Sequence, residues 1–193
     1  PVVPPVITPK GPADPKFTIL EDGLLTINSV KVPGEDDKGG SYDALDDYLI
    51  KITTLPTKGD LNYGGVKISP TGKEVTPVAI DNNYLQFKPV ANGNGSPYAT
   101  VKYSVSFTNE DGVETTATGC TWTINVTPVN DAPVVKNYAA SVREDVAVGF
   151  MLPTSLGATD VENDKLTYKI TANNGASGKT FEIVNGFFYV REK

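Results

Sequence analysis

Asn130 and Asp131 form a short polar pair between two prolines, Pro128 and Pro133. Their side chains offer the oxygen ligands that a hard cation such as calcium binds in proteins. One calcium ion takes about 6 to 8 oxygens, more than one short loop usually supplies, so further ligands must converge from other loops. The pair is therefore a candidate for one part of a cation site.

The segment ahead of this pair has the pattern of a strand. Apolar and polar residues alternate along residues 122–126, and the chain then runs into Pro128. Proline has no backbone N–H to donate to a central ladder, so strand pairing should end here and the chain should stay extended. A second alternating pattern starts after Pro133. We interpret residues 126–133 as a linker between two domains.

Composition narrows the classes of function. The chain has 39% hydrophobic residues and a net charge of −6, which disfavours nucleic acids and anionic membranes as partners, and no apolar run approaches the ~20 residues needed to insert across a membrane. Histidine is absent and Cys120 is the single cysteine, so the commonest general base and any internal disulfide framework are excluded. Because the chain begins with Pro1 and shows no signal peptide, we interpret it as a fragment of a longer protein.

Period-2 alternation dominates the first 130 residues, and no convincing helical stripe is present. The strand patterns occupy residues 17–20, 24–27, 48–53, 61–63, 66–68, 84–87, 99–107 and 114–126. Short strands separated by Gly, Pro, Asn and Asp turns indicate an immunoglobulin-like β-sandwich over residues 17–130, after a proline-rich extended lead-in over residues 1–16. The side chains expected to face its core are Val101, Tyr103, Val105, Phe107, Trp122, Ile124 and Val126.

The second part of the chain repeats the pattern of the first. Placing residues 51–53 on residues 169–171 also aligns Asp46 with Asp164, and matching internal offsets indicate a tandem array. The second copy spans residues 131–193, with strand patterns at residues 139–143, 146–152, 165–171, 180–184 and 187–190. Compared with the first copy it lacks the last two strands, so we expect an incomplete sandwich.

A strand that ends in Val-Asn-Asp-Ala-Pro, residues 129–133, resembles the junction of bacterial cadherin-like tandem repeats. Such repeats occur in large secreted surface proteins and adhesins. The resemblance implies an all-β fold of tandem immunoglobulin/cadherin-like Greek-key sandwiches, an extracellular or cell-surface location, and neighbouring repeats of the same chain as partners. It also implies that calcium is the bound ion.

In the resembled family, calcium is bound by an acidic residue near the first strand, by the Asn-Asp linker and by an Asp-x-Asp loop of the downstream domain. Carried over residue by residue, this implicates Glu21, Asn130, Asp131, Asp160 and Glu162. The loop reads Asp-x-Glu here, and the linker is shorter than the full cadherin form. A second candidate metal cluster, for a junction with an upstream domain, comprises Asp43, Asp46, Asp47 and Asp111.

Loop Asp and Asn side chains often only bond to their own backbone or to solvent, in which case no metal site exists.

Three functions are compatible with the sequence. The expected function is a non-catalytic extracellular module that extends a surface protein and is rigidified by calcium, because carboxylates without the ion repel one another. The alternative is a module that binds a glycan or a protein through loops or one sheet face. A glycosidase with two carboxylates is disfavoured by the lack of any nucleophile motif.

Overall fold

The computed structural model describes residues 6–7, 14–30, 48–108, 114–172, 174 and 180–191. The four residues of the second candidate cluster, Asp43, Asp46, Asp47 and Asp111, lie outside these ranges. The chain divides into two compact units, Pro1–Val129 and Asn130–Lys193. Within the described ranges nearly all regular structure is strand, so the predicted all-β class is confirmed.

The first unit contains ten strands and one short helix among its described residues. They are β1 (Val6–Ile7), β2 (Lys16–Leu20), β3 (Leu25–Thr26), β4 (Tyr48–Thr54), β5 (Asp60–Tyr63), β6 (Val66–Lys67), β7 (Glu74–Val75), α1 (Pro77–Asp81), β8 (Leu85–Lys88), β9 (Gly95–Thr108) and β10 (Glu114–Thr127). β7 and α1 were not predicted. They are two and five residues long, too short to show a period in the sequence.

These strands form two sheets. The first has six strands in the order β1-β10-β9-β4-β7, with β2 also paired to β10. The second has the order β3-β8-β5-β6. β1 and β2 both run parallel to β10, whereas β9 runs antiparallel to it. Both edges of β10 are therefore hydrogen-bonded to neighbouring strands.

The core of the first unit contains buried side chains from both sheets. Ile50 and Trp122 from the first sheet join Leu61 and Phe87 from the second in one apolar cluster. Two sheets that share one core make this unit a β-sandwich. Of the core side chains predicted above, Val101, Tyr103, Val105, Trp122, Ile124 and Val126 are buried as expected, and the side chain of Phe107 lies outside the described part.

The second unit has much less regular structure. Its described strands are β11 (Val134–Val135), β12 (Ala158–Thr159), β13 (Phe181–Val184) and β14 (Phe187–Val190), and they pair as β11 with β12 and β13 with β14. β13 and β14 agree with the predicted strands at residues 180–184 and 187–190. Leu152 and Val190 are the only buried hydrophobic side chains among its described residues.

Three predicted strands of this unit are wrong. Residues 139–143 and 165–171 form no strand, and residues 146–152 contribute only an isolated bridge between Met151 and Tyr189. A strand needs a hydrogen-bonded neighbour, and none of the described residues forms a ladder with these segments. Alternation in the sequence predicts which face is apolar, but it does not supply the neighbouring strand.

Trp122 makes two specific contacts in the sandwich core. Its ring stacks on Tyr103 with 4.1 Å between centroids, and its Nε1 donates to the Ser29 carbonyl oxygen at 2.9 Å. We expect Trp122→Phe to lower the free energy of unfolding of the first unit by about 2–4 kcal/mol, because the smaller ring leaves a cavity and the Ser29 carbonyl loses its donor. Urea unfolding followed by far-ultraviolet circular dichroism measures this. Val66→Ala, at a side chain that is 71% exposed, is the control, and equal stability of both variants would contradict the expectation.

The buried Tyr48 phenol makes the stability of the first unit decrease at alkaline pH. Burial raises the pKa of its phenol above 10.0, and the nearby Asp81 carboxylate adds to the shift. The unfolded chain therefore loses this proton at a lower pH than the folded chain, so stability is retained below pH 10.0 and falls as the pH rises further. Tyr48→Phe should reduce this alkaline loss in thermal unfolding between about pH 8 and pH 11. Tyr84→Phe, at a side chain that is 50% exposed, should reduce it less, and an equal effect would contradict the assignment.

Candidate metal site

Glu21 lies in a tight turn directly after β2. The turn closes through a hydrogen bond from the Gly23 amide to the Leu20 carbonyl oxygen at 2.9 Å. A Cβ at Gly23 would lie 2.8 Å from Ile19 Cγ1 and 3.0 Å from the Leu20 carbonyl oxygen, so only glycine fits without a local shift. The Glu21 amide donates to the Thr127 carbonyl oxygen at 3.1 Å, which holds the turn beside the end of β10.

The carboxylate of Glu21 is buried, with 1% of the residue exposed. Its Oε1 accepts from the Val129 amide at 2.7 Å, and its Oε2 accepts a longer bond from Asn94 Nδ2 at 3.4 Å. None of the described Lys or Arg side chains forms an ion pair with it. A buried carboxylate is costly unless a cation and several hydrogen bonds compensate for the lost water. Glu21 has two hydrogen bonds, but no cation comes from the part of the chain that the structure describes.

The strand register explains why Glu21 reaches Val129. β2 runs parallel to β10 with Leu20 opposite Thr127, so the residues that follow each strand leave the sheet side by side. Asn94 comes from the loop before β9, where the Val90 amide donates to the Tyr98 hydroxyl at 3.1 Å. The Glu21 carboxylate is therefore held against Val129, the last residue of the first unit.

In the second unit, Asp131 lies opposite Glu162. The antiparallel register of β11 and β12 pairs Val134 with Thr159, and continuing it places Asp131 across from Glu162. The Asp131 amide donates to Glu162 Oε2 at 3.1 Å. Asp131 Oδ2 is buried and accepts no hydrogen bond from the described residues. A buried oxygen without a donor needs a ligand or water.

Asp160 closes the loop that carries Glu162. Its Oδ1 accepts from the Glu162 amide at 3.1 Å and from the Asp164 amide at 3.0 Å, and Asn163 has a φ of 61° in the same turn. One oxygen of Asp160 is therefore occupied by the backbone of its own loop, which is the structural role that Asp often has in turns. This contact also fixes the backbone from which Glu162 reaches Asp131.

The second unit thus brings together three of the predicted ligands, Asp131, Asp160 and Glu162, at the ends of β11 and β12. Asn130 precedes them and is exposed, with its Nδ2 donating to the Asp131 carbonyl oxygen at 3.1 Å. Glu21 belongs to the first unit. Asn94 was missed by sequence reasoning, because its contact with Glu21 spans 73 positions and the Asn-Gly pattern around it indicates only a loop.

No protein-family model matches the chain, and no curated protein sequence matches it. The likeness of residues 129–133 to a cadherin-like junction therefore stays a prediction. No helix in the described ranges combines the length and hydrophobicity needed to cross a membrane.

The loop closed by Asp160 gives a direct test of local structure. Asp160→Ala should speed hydrogen exchange at the Glu162 and Asp164 amides by about fivefold or more, because each amide loses an acceptor worth about 1 kcal/mol. Asp160→Asn keeps a side-chain oxygen and should have a smaller effect. Exchange measured by nuclear magnetic resonance checks both variants, and unchanged rates in Asp160→Ala would show that the loop does not depend on this carboxylate.

Proposed function

We propose that this chain is a non-catalytic extracellular repeat region in which calcium stiffens the junction between two cadherin-like modules. In this role it extends and rigidifies a large cell-surface or secreted protein of the adhesin type, and its partners are neighbouring repeats of the same chain. The observation that carries the proposal is the buried Glu21 carboxylate, which has no cationic partner among the described residues and accepts a hydrogen bond from the Val129 amide, immediately before Asn130 and Asp131.

The strand order of the first unit supports an immunoglobulin/cadherin-like Greek key. β3 pairs with β8 and β4 pairs with β9, so each of these strands has a neighbour that is distant in sequence. Long connections between two sheets that enclose one core are characteristic of Greek-key sandwiches. The second module would be the incomplete repeat that the sequence predicts.

Covalent connectivity supports a shared ion. Glu21 holds the Val129 amide, and Asp131 is two residues further along. Consecutive Cα atoms are about 3.8 Å apart, so the Cα atoms of Val129 and Asp131 are at most about 7.6 Å apart whatever the linker conformation. The chain therefore keeps Asp131 within reach of a cation bound at Glu21.

The charges also favour a divalent cation. The Asp131 backbone amide donates to Glu162 Oε2, and Asp160 Oδ1 accepts from the Glu162 amide, so the three acidic residues belong to one local structure. None of these carboxylates pairs with a described Lys or Arg. Together with Glu21 and the Asn130 side-chain oxygen they would provide five oxygen-bearing residues, and water would complete the ~6 to 8 ligands of calcium. Without the ion, the carboxylates repel one another and the linker is free to hinge.

Thermal unfolding of the whole chain tests the calcium proposal. Millimolar calcium should raise the midpoint by about 5 °C or more relative to excess chelator, because an ion that binds only the folded chain stabilises it. Magnesium at the same concentration should give a much smaller rise, since it demands stricter octahedral geometry. Trp122, the single tryptophan, reports the first unit by fluorescence. Identical curves in calcium and chelator would overturn the proposal.

Two variants and a matched control assign the ligands. Glu21→Gln and Asp131→Asn should each remove most of the calcium-dependent rise, because each loses one negative oxygen ligand. Asp22→Asn removes the same charge at the exposed neighbour of Glu21 and should keep the rise. A full calcium response in both ligand variants would place the ion elsewhere.

A further inference from the structure

A cleft opens in the first unit where the chain crosses between its two sheets. The chain leaves β6 at the edge of one sheet and joins β7 at the edge of the other. The cavity has a volume of about 530 Å³, within the range of ~300–1,000 Å³ that is typical of small-molecule sites. Its lining includes Tyr63, Lys67, Ser69, Thr71 and Lys73.

Backbone hydrogen bonds fix both ends of the loop that forms this cleft. The Ile68 amide donates to the Leu61 carbonyl oxygen at 2.8 Å, and the Gly72 amide donates to the Ile52 carbonyl oxygen at 2.8 Å. The Ile52 amide in turn donates to the Lys73 carbonyl oxygen at 3.0 Å. The loop is thus fastened to β5 at one end and to β4 at the other, which gives the cleft a preformed shape.

The residues that line the cleft include two lysines and no Asp or Glu. Asp60 and Glu74 flank this segment in the sequence. Lys67 Nζ lies 2.6 Å from Asp60 Oδ1. Lys73 Nζ lies over the Tyr63 ring, 4.0 Å from its centroid, and no described carboxylate pairs with it. The aromatic ring holds this ammonium group in place and leaves its charge available to a ligand.

We propose that this cleft binds a carboxylated sugar of the uronic acid class. The Lys73 ammonium would bind the sugar carboxylate in a charge-assisted hydrogen bond, and the Ser69 and Thr71 hydroxyls would exchange hydrogen bonds with the sugar hydroxyls. The cleft has room for a few sugar units. A small ligand is favoured over an acidic protein because the cleft has the volume of a small-molecule site, whereas a stable protein interface covers about 800 Å² on each partner and would extend beyond the few residues that line the cleft.

This site does not depend on the calcium proposal. All the residues that line it belong to the first unit and are distinct from Glu21, Asp131, Asp160 and Glu162. It gives a location and a ligand class to the glycan-binding alternative that the sequence leaves open. Binding measured in chelator would separate the two proposals, because failure of one leaves the other untouched.

The test is a titration of the whole chain with a galacturonic acid trisaccharide, followed by amide chemical shifts in nuclear magnetic resonance. The neutral galactose trisaccharide and a hexaglutamate peptide serve as comparison ligands. We expect the acidic sugar to shift the amides of Tyr63, Ser69, Thr71, Gly72 and Lys73, and the neutral sugar to bind at least tenfold more weakly. Higher salt should weaken the binding of the acidic sugar, since one ion pair contributes to it.

Lys73→Gln should reduce the affinity for the acidic trisaccharide about tenfold, the loss of one charge-assisted hydrogen bond. Lys58→Gln is the matched control, because Lys58 also lies over a tyrosine ring, 5.7 Å from the Tyr98 centroid, but does not line the cleft. Tighter or equal binding of hexaglutamate would overturn the proposal in favour of a general anion surface. Absent shifts with the acidic sugar, or equal losses in both variants, would overturn it as well.

Discussion

The hydrogen-bonding of β10 on both of its edges is the constraint on which the first unit depends. One edge pairs with β9 over most of its 14 residues, and the other pairs with β1 and β2. The same strand supplies Trp122 to the core and ends at the linker. Because both edges of β10 are hydrogen-bonded, the strands next to it are fixed in position as well. Both the core of the first unit and the position of Glu21 follow from this placement.

The register of β2 on β10 determines where Glu21 lies. β2 is parallel to β10, so both strands end on the same side of the sheet, and the turn after β2 comes to lie beside residues 127–129. A shift of one residue would reverse which side chains of β2 face the core. It would also carry the Glu21 carboxylate away from the Val129 amide. The packing of the sandwich and the position of the candidate ligand therefore cannot vary independently.

The sequence predicts the first unit better than the second for a physical reason. Long strands with one buried face, such as β9 and β10, leave an alternation that identifies both the strand and the side chains in the core. In residues 165–171 the same alternation is present, but no described neighbour pairs with them, and pairing between distant segments is not encoded locally. The candidate site divides in the same way. Asp131, Asp160 and Glu162 were found through the motif resemblance in the sequence and are joined by hydrogen bonds within the second unit, whereas the contact of Asn94 with Glu21 depends on the tertiary fold.

The burial of the Glu21 carboxylate, without a cationic partner in the described ranges, bears on the calcium proposal. A lysine side chain placed next to Glu21 would neutralise its carboxylate permanently and would stabilise the first unit with or without an added ion. In the structure, the Glu21 carboxylate instead accepts two hydrogen bonds, from the Val129 amide and from Asn94 Nδ2, and has no cationic partner among the described residues. A cation that binds the folded state alone stabilises it by an amount that depends on the ion concentration and on the affinity of the site. In the proposed role, the rigidity of the junction would therefore depend on the concentration of the ion.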